Sequence, residues 1–250
     1  MVKIVNQEDR RNKVMAFTVN AYIAGGQPVS SQVLAEHFGL SSATMRNILA
    51  ELEEEGYFYH PHTSAGRVPT RKGYRYYVDF LMSQQELSED IKLVILEGLT
   101  GSKRAHFDLE ELLEKTSDIV AELTHYTSLV WLSSLKGRIF FKGLRNMARQ
   151  PEFRDAQKLS LLLELLEERT RLLALLNQEF QDHCKVYIGE EIGCSVGEDC
   201  SLVVSAYHKG RRDSGRLAVL GPLRMSYEQT VATLAFVSFT LNKLLEETDY

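Results

Sequence analysis

The 250 residues predict an α+β fold in two units, on three observations. Apolar residues recur at helical spacing three times in the first 56 positions, and each stretch closes on glycine. A short aromatic run bounded by proline and glycine follows, as in a β-ribbon. Beyond position 126 the period changes, and short strand-type runs alternate with leucine-rich helical ones. Helices packed on a mainly antiparallel sheet make the second unit α+β.

Composition bounds the class. At 44% hydrophobic and 25% charged residues, with five prolines and sixteen glycines, the chain is neither disordered nor collagen-like. The longest uncharged stretch near the C-terminus, Gln229–Asn242, is too short to cross a ~30 Å hydrocarbon core. The opening MVKIVNQEDRRNKV lacks the apolar run of a secretory signal, so a cytoplasmic protein without membrane partners is expected. Cys184, Cys194 and Cys200 are odd in number and lack paired short spacings, which argues against a disulfide framework or a structural metal.

The net charge of -5 conceals an asymmetry. Residues 1–82 carry nine Lys/Arg against eight Asp/Glu, and residues 83–250 carry twenty against twenty-six. Within the first part, His62–Val78 contains Arg67, Arg71, Lys72 and Arg75 and no acidic residue. Local positive charge on an acidic protein is what selective, salt-sensitive phosphate binding needs.

The first helix begins near Glu8, with Val14, Phe17, Ala21 and Ala24 as its core stripe and Gly25-Gly26 as its stop. Ser30 is the expected cap of a short helix, Ser31–Phe38, burying Val33, Leu34 and Phe38 before Gly39 turns the chain. Ser42 is the expected cap of a third helix, Ala43–Glu55, with Met45, Leu49 and Leu52 inward and Gly56 at its end. Two helices joined by about four residues with a glycine in the turn form the helix-turn-helix pattern. Tyr57–His60 and Arg67–Pro69 then read as ribbon strands around a Ser64-Ala65-Gly66 tip. Thr70 caps a closing helix with Tyr74, Tyr77/Val78 and Leu81 inward. Three helices, a ribbon and a closing helix describe a winged helix-turn-helix, expected over residues 1–82.

Residues 83–107 read as a linker, with helical character only around Ile91–Leu99. The second domain, 108–250, opens with a helix at Leu109–Leu123. Strands are predicted at Thr127–Leu132, Arg138–Phe141, Lys185–Ile188, Leu202–Tyr207 and Arg216–Leu220. Glu152–Phe180 reads as a leucine-rich helical stretch broken near Arg171, and Tyr227–Leu245 as the final helix.

In a winged helix-turn-helix the third helix lies in the major groove with its N-terminal residues at the base edges. Burial of Met45, Leu49 and Leu52 leaves Ser42, Ala43, Thr44, Arg46 and Asn47 outward. Arg is suited to guanine O6 and N7, Asn to adenine N6 and N7, and a Thr or Ala methyl to thymine. On the ribbon, Arg67 at the Gly66-containing tip is placed for a minor groove, where Gly66 supplies positive φ, and Ser64 at the same tip is a further candidate DNA contact. Thr70, Arg71 and Lys72 at a helix start, with Arg75, are placed for phosphates.

These residues resemble a known family. The run PVSSQVLAEHFGLSSATMRNILAELEEEG, the string HTSAGRVPT, and Lys72–Asp79 (KGYRYYVD) look like the heat-inducible transcription repressor HrcA family. Further resemblance appears in Leu123–Thr127, Gln150–Asp155, Ile188–Glu191 and Gly221–Glu228, in family order along nearly the whole chain. The resemblance implies a repressor of chaperone operons that binds an inverted-repeat operator in double-stranded DNA as a homodimer. It also implies a GAF-like second domain and a GroEL-type chaperonin as partner. Family members are roughly a hundred residues longer than this chain. The missing stretch falls between Leu135 and Arg145, where part of the GAF-like sheet and an inserted dimerisation domain are expected, so the second domain is predicted to be shortened. Many members also carry a proline where this chain has Ser41-Ser42-Ala43 at the start of the recognition helix.

No cofactor and no enzymatic activity are expected. A nucleophile elbow, a Walker loop and a dinucleotide fingerprint are absent. His60 and His62 flank Pro61 without a Cys or carboxylate at ligand spacing, and Cys194 and Cys200 read as small semi-buried residues. Glu190 and Glu191 read as adjacent strand residues facing opposite sides, unsuited to paired acid–base work. The alternatives are a metabolite sensor whose GAF-like pocket controls the operator, and an interaction factor whose winged helix binds a protein rather than DNA.

Overall fold

A computed structural model describes residues 7–62, 65–101, 108–135, 138–178, 184–193, 195–209 and 213–246. The chain divides into two compact units, Met1–Ser83 and Gln84–Tyr250. In the first, helix α1 (Gln7–Gly25) buries Val14, Met15, Thr18 and Val19 rather than the single stripe expected, and Ala24 is exposed. The reason is that α1 is covered on two sides. Val14 joins Val29, Leu34, Met45 and Leu49 in one cluster, while Asn12 and Asn20 accept hydrogen bonds from the hydroxyls of Tyr76 and Tyr77.

Helix α2 (Ser31–Phe38) is capped by Ser30, and Gly39 ends it at φ 63°. Leu34 is fully buried and Phe38 half-buried, but Val33 is 46% exposed. One residue is about 100° of helical rotation, so Val33 turns outward when Leu34 turns in. Helix α3 (Ser42–Glu54) has its cap one residue earlier than expected: Ser41 Oγ accepts from the Thr44 amide at 3.0 Å. Ser42 is the first helical residue, its hydroxyl 3.1 Å from that of Ser31. Met45, Leu49 and Leu52 are inward, and Gly56 turns the chain at φ 80°.

Strands β1 (Phe58–Tyr59) and β2 (Val68–Pro69) are shorter than predicted and pair antiparallel, Phe58 opposite Pro69 and Tyr59 opposite Val68. A bridge between Val29 and Arg67 adds a third backbone to this ribbon, each amide donating to the other's carbonyl at 2.9 and 2.8 Å. Here the structure corrects the reason for Gly66. It is not a positive-φ position; instead, a Cβ at Gly66 would lie 2.3 Å from the Val29 carbonyl carbon and oxygen. Thr70 caps α4 (Arg71–Tyr76), which continues into a π-turn over Tyr77–Leu81.

In the second unit, α5 (Glu89–Thr100) occupies about half of the stretch read as a linker and buries Ile95 and Leu99 while packing on α6 (Leu109–Thr124). Five strands follow: β3 (Thr127–Leu132), β4 (Ile139–Lys142), β5 (Cys184–Ile188), β6 (Cys200–Lys209) and β7 (Asp213–Pro222). Their order is β4-β3-β7-β6-β5, antiparallel throughout. Helix α7 (Leu144–Ala148) was not predicted, since five residues are too few to show a period. The leucine-rich stretch is a short 3₁₀ turn at Pro151–Phe153 followed by two helices, α8 (Ala156–Glu167) and α9 (Arg169–Leu176), broken at Glu168 rather than Arg171.

The sheet is covered on both faces. Leu129, Trp131, Leu202, Val204, Ala218 and Leu220 share one core with Leu162, Leu165, Leu172 and Leu176 of α8 and α9. The other face meets α6 and the last helix, α10 (Tyr227–Glu246), through buried hydroxyl pairs: Ser238 donates to Ser205 at 2.9 Å, and Ser201 lies 2.7 Å from the Tyr227 hydroxyl. Edge strand β4 is guarded by charge, with Arg138 paired to Glu110 and Lys142 to Glu114 and Asp118.

Two substitutions test these packing arguments. Gly66→Ala sets a methyl group against the Val29 backbone and should lower the stability of the first unit by about 1–3 kcal/mol, read from urea unfolding. Tyr207 is fully buried and donates to the Trp131 carbonyl at 3.0 Å, so Tyr207→Phe should cost the second unit about 1–2 kcal/mol in the same experiment.

Candidate nucleic-acid interface

The α3 surface is set by its core residues. With Met45, Leu49 and Leu52 inward, Ala43, Arg46 and Asn47 are exposed and Ser42 and Thr44 half-buried. The Thr44 hydroxyl lies 2.8 Å from Ser41 Oγ, so it belongs to the cap and leaves its methyl as a contact group. Among the described residues the Arg46 side chain is at hydrogen-bond range of its own helix alone, Nε donating to the Ser42 carbonyl at 3.5 Å. Exposed Arg46 and Asn47 therefore share one turn at the start of the helix, where the macrodipole is positive.

The basic residues beyond the ribbon are held by acceptors from elsewhere in the unit. Arg67 is not at a free tip. Its side chain is only 12% exposed, and one guanidinium nitrogen lies 2.8 Å from Glu53 Oε2. The Thr70 hydroxyl accepts from the Gly73 amide at 3.1 Å and reaches the Gly56 carbonyl at 2.7 Å, which fixes α4 to the end of α3. Lys72 donates to the Glu55 carbonyl at 2.7 Å and lies 4.6 Å above the Tyr57 ring. Arg75 engages both carboxylate oxygens of Asp79, at 2.8 and 3.1 Å. Arg71 is half-buried at the first position of α4. Ser64 lies outside the described residues.

Sequence reasoning missed Glu53. Its Oε1 is 2.8 Å from His60 Nδ1 while Oε2 meets Arg67, so one carboxylate on α3 meets the residue just after β1 and the one just before β2. A signal was present: α3 ends in Glu51, Glu53, Glu54 and Glu55 with no basic residue in its last turn. Carboxylates at the negative end of a helix dipole need cations from outside the helix. Arg11 on α1 supplies another, paired with Glu55.

Other candidates find structural roles. The Cys200 thiol is fully buried, and burial pushes the Cys184 thiol up from its ordinary value; Cys194 lies outside the described residues. Glu190 and Glu191 sit in a 3₁₀ turn, Gly189–Ile192, rather than in the strand expected. Glu191 accepts from the Ile188 amide at 2.9 Å. Two resemblance motifs meet where Arg224 pairs with Glu152 and donates to Gln150 at 3.1 Å. Among the described residues no group of three metal-ligating side chains converges, and no helix is long and apolar enough to cross a membrane.

Comparison with known proteins bears on both units. A family model described as the HrcA protein C terminal domain matches residues 132–231. The heat-inducible transcription repressor HrcA of Pelotomaculum thermopropionicum is 28% identical over 340 aligned positions, covering 96% of this chain and 97% of that protein. Its counterpart in Desulforudis audaxviator is 27% identical over 341 positions, covering 96% and 98%. Since this chain has 250 residues, roughly a hundred aligned positions have no counterpart in it. A crystal structure of a hypothetical protein at 2.2 Å resolution shares the fold, with a TM-score of 0.76 and 22% identity over 96% of this chain and 98% of that one. The matched C-terminal domain and relatives aligned through both units agree with the motif resemblance: the chain is similar to the HrcA family along nearly its whole length.

Proposed function

We propose that this protein is a sequence-specific DNA-binding transcriptional repressor of chaperone operons, which reads an inverted-repeat operator as a homodimer. In this reading the first unit is a winged helix-turn-helix and the second a shortened GAF-like domain. The observation that carries the reading is the exposed pair Arg46 and Asn47 in the first turns of α3, opposite buried Met45 and Leu49. Those side chains are the ones suited to bidentate contacts with guanine and adenine in a major groove. Ser42 and Thr44 line the same end of the helix, and Ser64, Arg71, Lys72 and Arg75 would meet the backbone. Thr70 would act by holding α4 at the end of α3. The names of the HrcA relatives, heat-inducible transcription repressors, support the operon class.

A homodimer follows from the physics of readout. One small module buries too little surface for high specificity, and repressors gain it by placing two modules on a two-fold operator. A GroEL-type chaperonin is proposed as the partner that brings the second unit to its active fold. Two features support this: the sheet has open edges at β4 and β5, and Phe141 on β4 is 48% exposed. Chaperonin with ATP should raise the fraction of purified protein that titrates operator, and full titration without it would remove this partner.

Gel-shift titration with an inverted-repeat operator and a scrambled duplex, at two salt concentrations, tests the reading. Arg46→Ala and Asn47→Ala should each relax base preference by about 1–3 kcal/mol. Lys72→Ala should weaken both duplexes alike and lower the salt slope by about one. Equal loss on both duplexes for all three variants would take base readout away from α3. Sequence-blind binding would favour the interaction factor, and a small molecule copurifying with the protein would favour the sensor. Solution mass without DNA, compared with affinity for one half-site and for the full repeat, tests the dimer.

A further inference from the structure

We infer that Glu53 is a positioning residue for the nucleic-acid surface, and that Arg67 serves as its tie rather than as a groove contact; this rests on the DNA-binding reading above. The geometry is specific. Glu53 projects from the last turn of α3, and its two oxygens each hold a different arm of the ribbon, His60 at 2.8 Å and Arg67 at 2.8 Å. The β1–β2 ladder has two residue pairs, so the ribbon is too short to fix its own direction. Arg67 is anchored at its backbone as well, because its amide and carbonyl both bond to Val29, in the turn before α2. The ribbon root is thus fastened at two points of the helical body.

The same contacts remove Arg67 from solution. Its side chain is only 12% exposed, and among the described residues its Nε has no hydrogen-bond partner. A guanidinium in that position depends on its one carboxylate; without it, a largely buried charge is uncompensated. Glu53, 32% exposed, lies on the helix whose opposite end carries Arg46 and Asn47. It sets the angle between α3 and the ribbon while touching no ligand. Groove contacts from the ribbon then fall to the residues between its two arms, His62 and Ala65 among the described ones.

The two assignments of Arg67 predict opposite signs. If Arg67 were a groove contact, neutralising Glu53 would free it and remove an anion from the surface, and operator affinity would rise. As a tie, its loss lowers affinity. The experiment uses the full chain. Glu53→Ala should weaken operator binding about tenfold, the scale on which contacting residues couple. In the protein without DNA it should also speed amide exchange at Val29, Arg67 and Thr70, whose hydrogen bonds close the ribbon root. Glu53→Gln, which keeps an acceptor of the same length, should recover part of both effects. Arg67→Met should lose as much as Glu53→Ala, and the double variant no more than either single one. If Glu53→Ala unfolds, Glu53→Gln and Arg67→Met still report the sign. Unchanged exchange, or affinity equal to or above that of the wild type, overturns the tie. A wild type that fails to distinguish operator from scrambled DNA overturns the proposed function instead, and the exchange rates then judge the tie alone.

Discussion

The first unit depends on the acidic end of one helix. Glu51, Glu53, Glu54 and Glu55 crowd the C-terminal half of α3, against the negative pole of its dipole, and the helix carries no basic residue there. Each unfavourable charge–dipole contact costs about 0.3–1 kcal/mol when exposed, so the helix persists with compensation from outside. That compensation is distributed: Arg11 comes from α1, His60 and Arg67 from the ribbon, and Lys72 from α4 to the Glu55 carbonyl. Every other element after α2 is thereby drawn to the same end of α3. The arrangement also polarises the helix. Its acidic end is enclosed by cations, and its N-terminal end, where the dipole is positive, carries exposed Arg46 and Asn47. Only that end is suited to approach a polyanion.

The second unit solves a different problem, a sheet buried on both faces. Strands of this kind read as continuous apolar runs rather than alternating ones, and β3 is buried at all six positions. Hydroxyl groups on such a face must find partners within the protein. Ser201 and Ser205 find theirs on α10, where Tyr227 and Ser238 face them. These polar pairs fix how α10 lies on the sheet, because a one-residue slip would leave two hydroxyls buried without partners. The edge at β4 carries Lys142 and follows Arg138, whose carboxylate partners on α6 hold charge beside the edge backbone.

Much of this was legible in the sequence, for physical reasons that also mark the limits. Helices α2, α3, α6 and α10 announce themselves through caps and long apolar faces, and all five strands fall where the period changes. Several of the misses depend on contacts distant in sequence. The double-sided burial of α1 needs Tyr76 and Tyr77, more than fifty residues away. Gly66 looks like a turn glycine, but it is required by the Val29 backbone 37 positions earlier. Local reading identified the bases Arg67, Lys72 and Arg75 but not their acceptors, because Glu53 and Glu55 precede the ribbon and Asp79 follows the basic stretch. A cluster of like charges in one segment is therefore weak evidence of a free surface when the complementary cluster lies in a neighbouring one.

The shortening of the chain can be understood in the same terms. The sequence reading puts the missing stretch between Leu135 and Arg145, an interval that holds β4 and the connection to it from β3. Those strands are direct antiparallel neighbours, with Trp131 opposite Ile139 and Ser128 opposite Lys142. The ends of any segment inserted there are already adjacent, so its presence or absence leaves the pairing of β3 with β7 untouched. Loop-closure entropy changes by only about 0.6 kcal/mol per doubling of loop length, which makes a hairpin the least costly place to gain or lose a domain. The five-strand order rests on the pairing of the strands themselves, and the cores on its two faces on the helices packed against them. In the homodimer proposed above, the surface for a second copy would have to come from elements that also build the core.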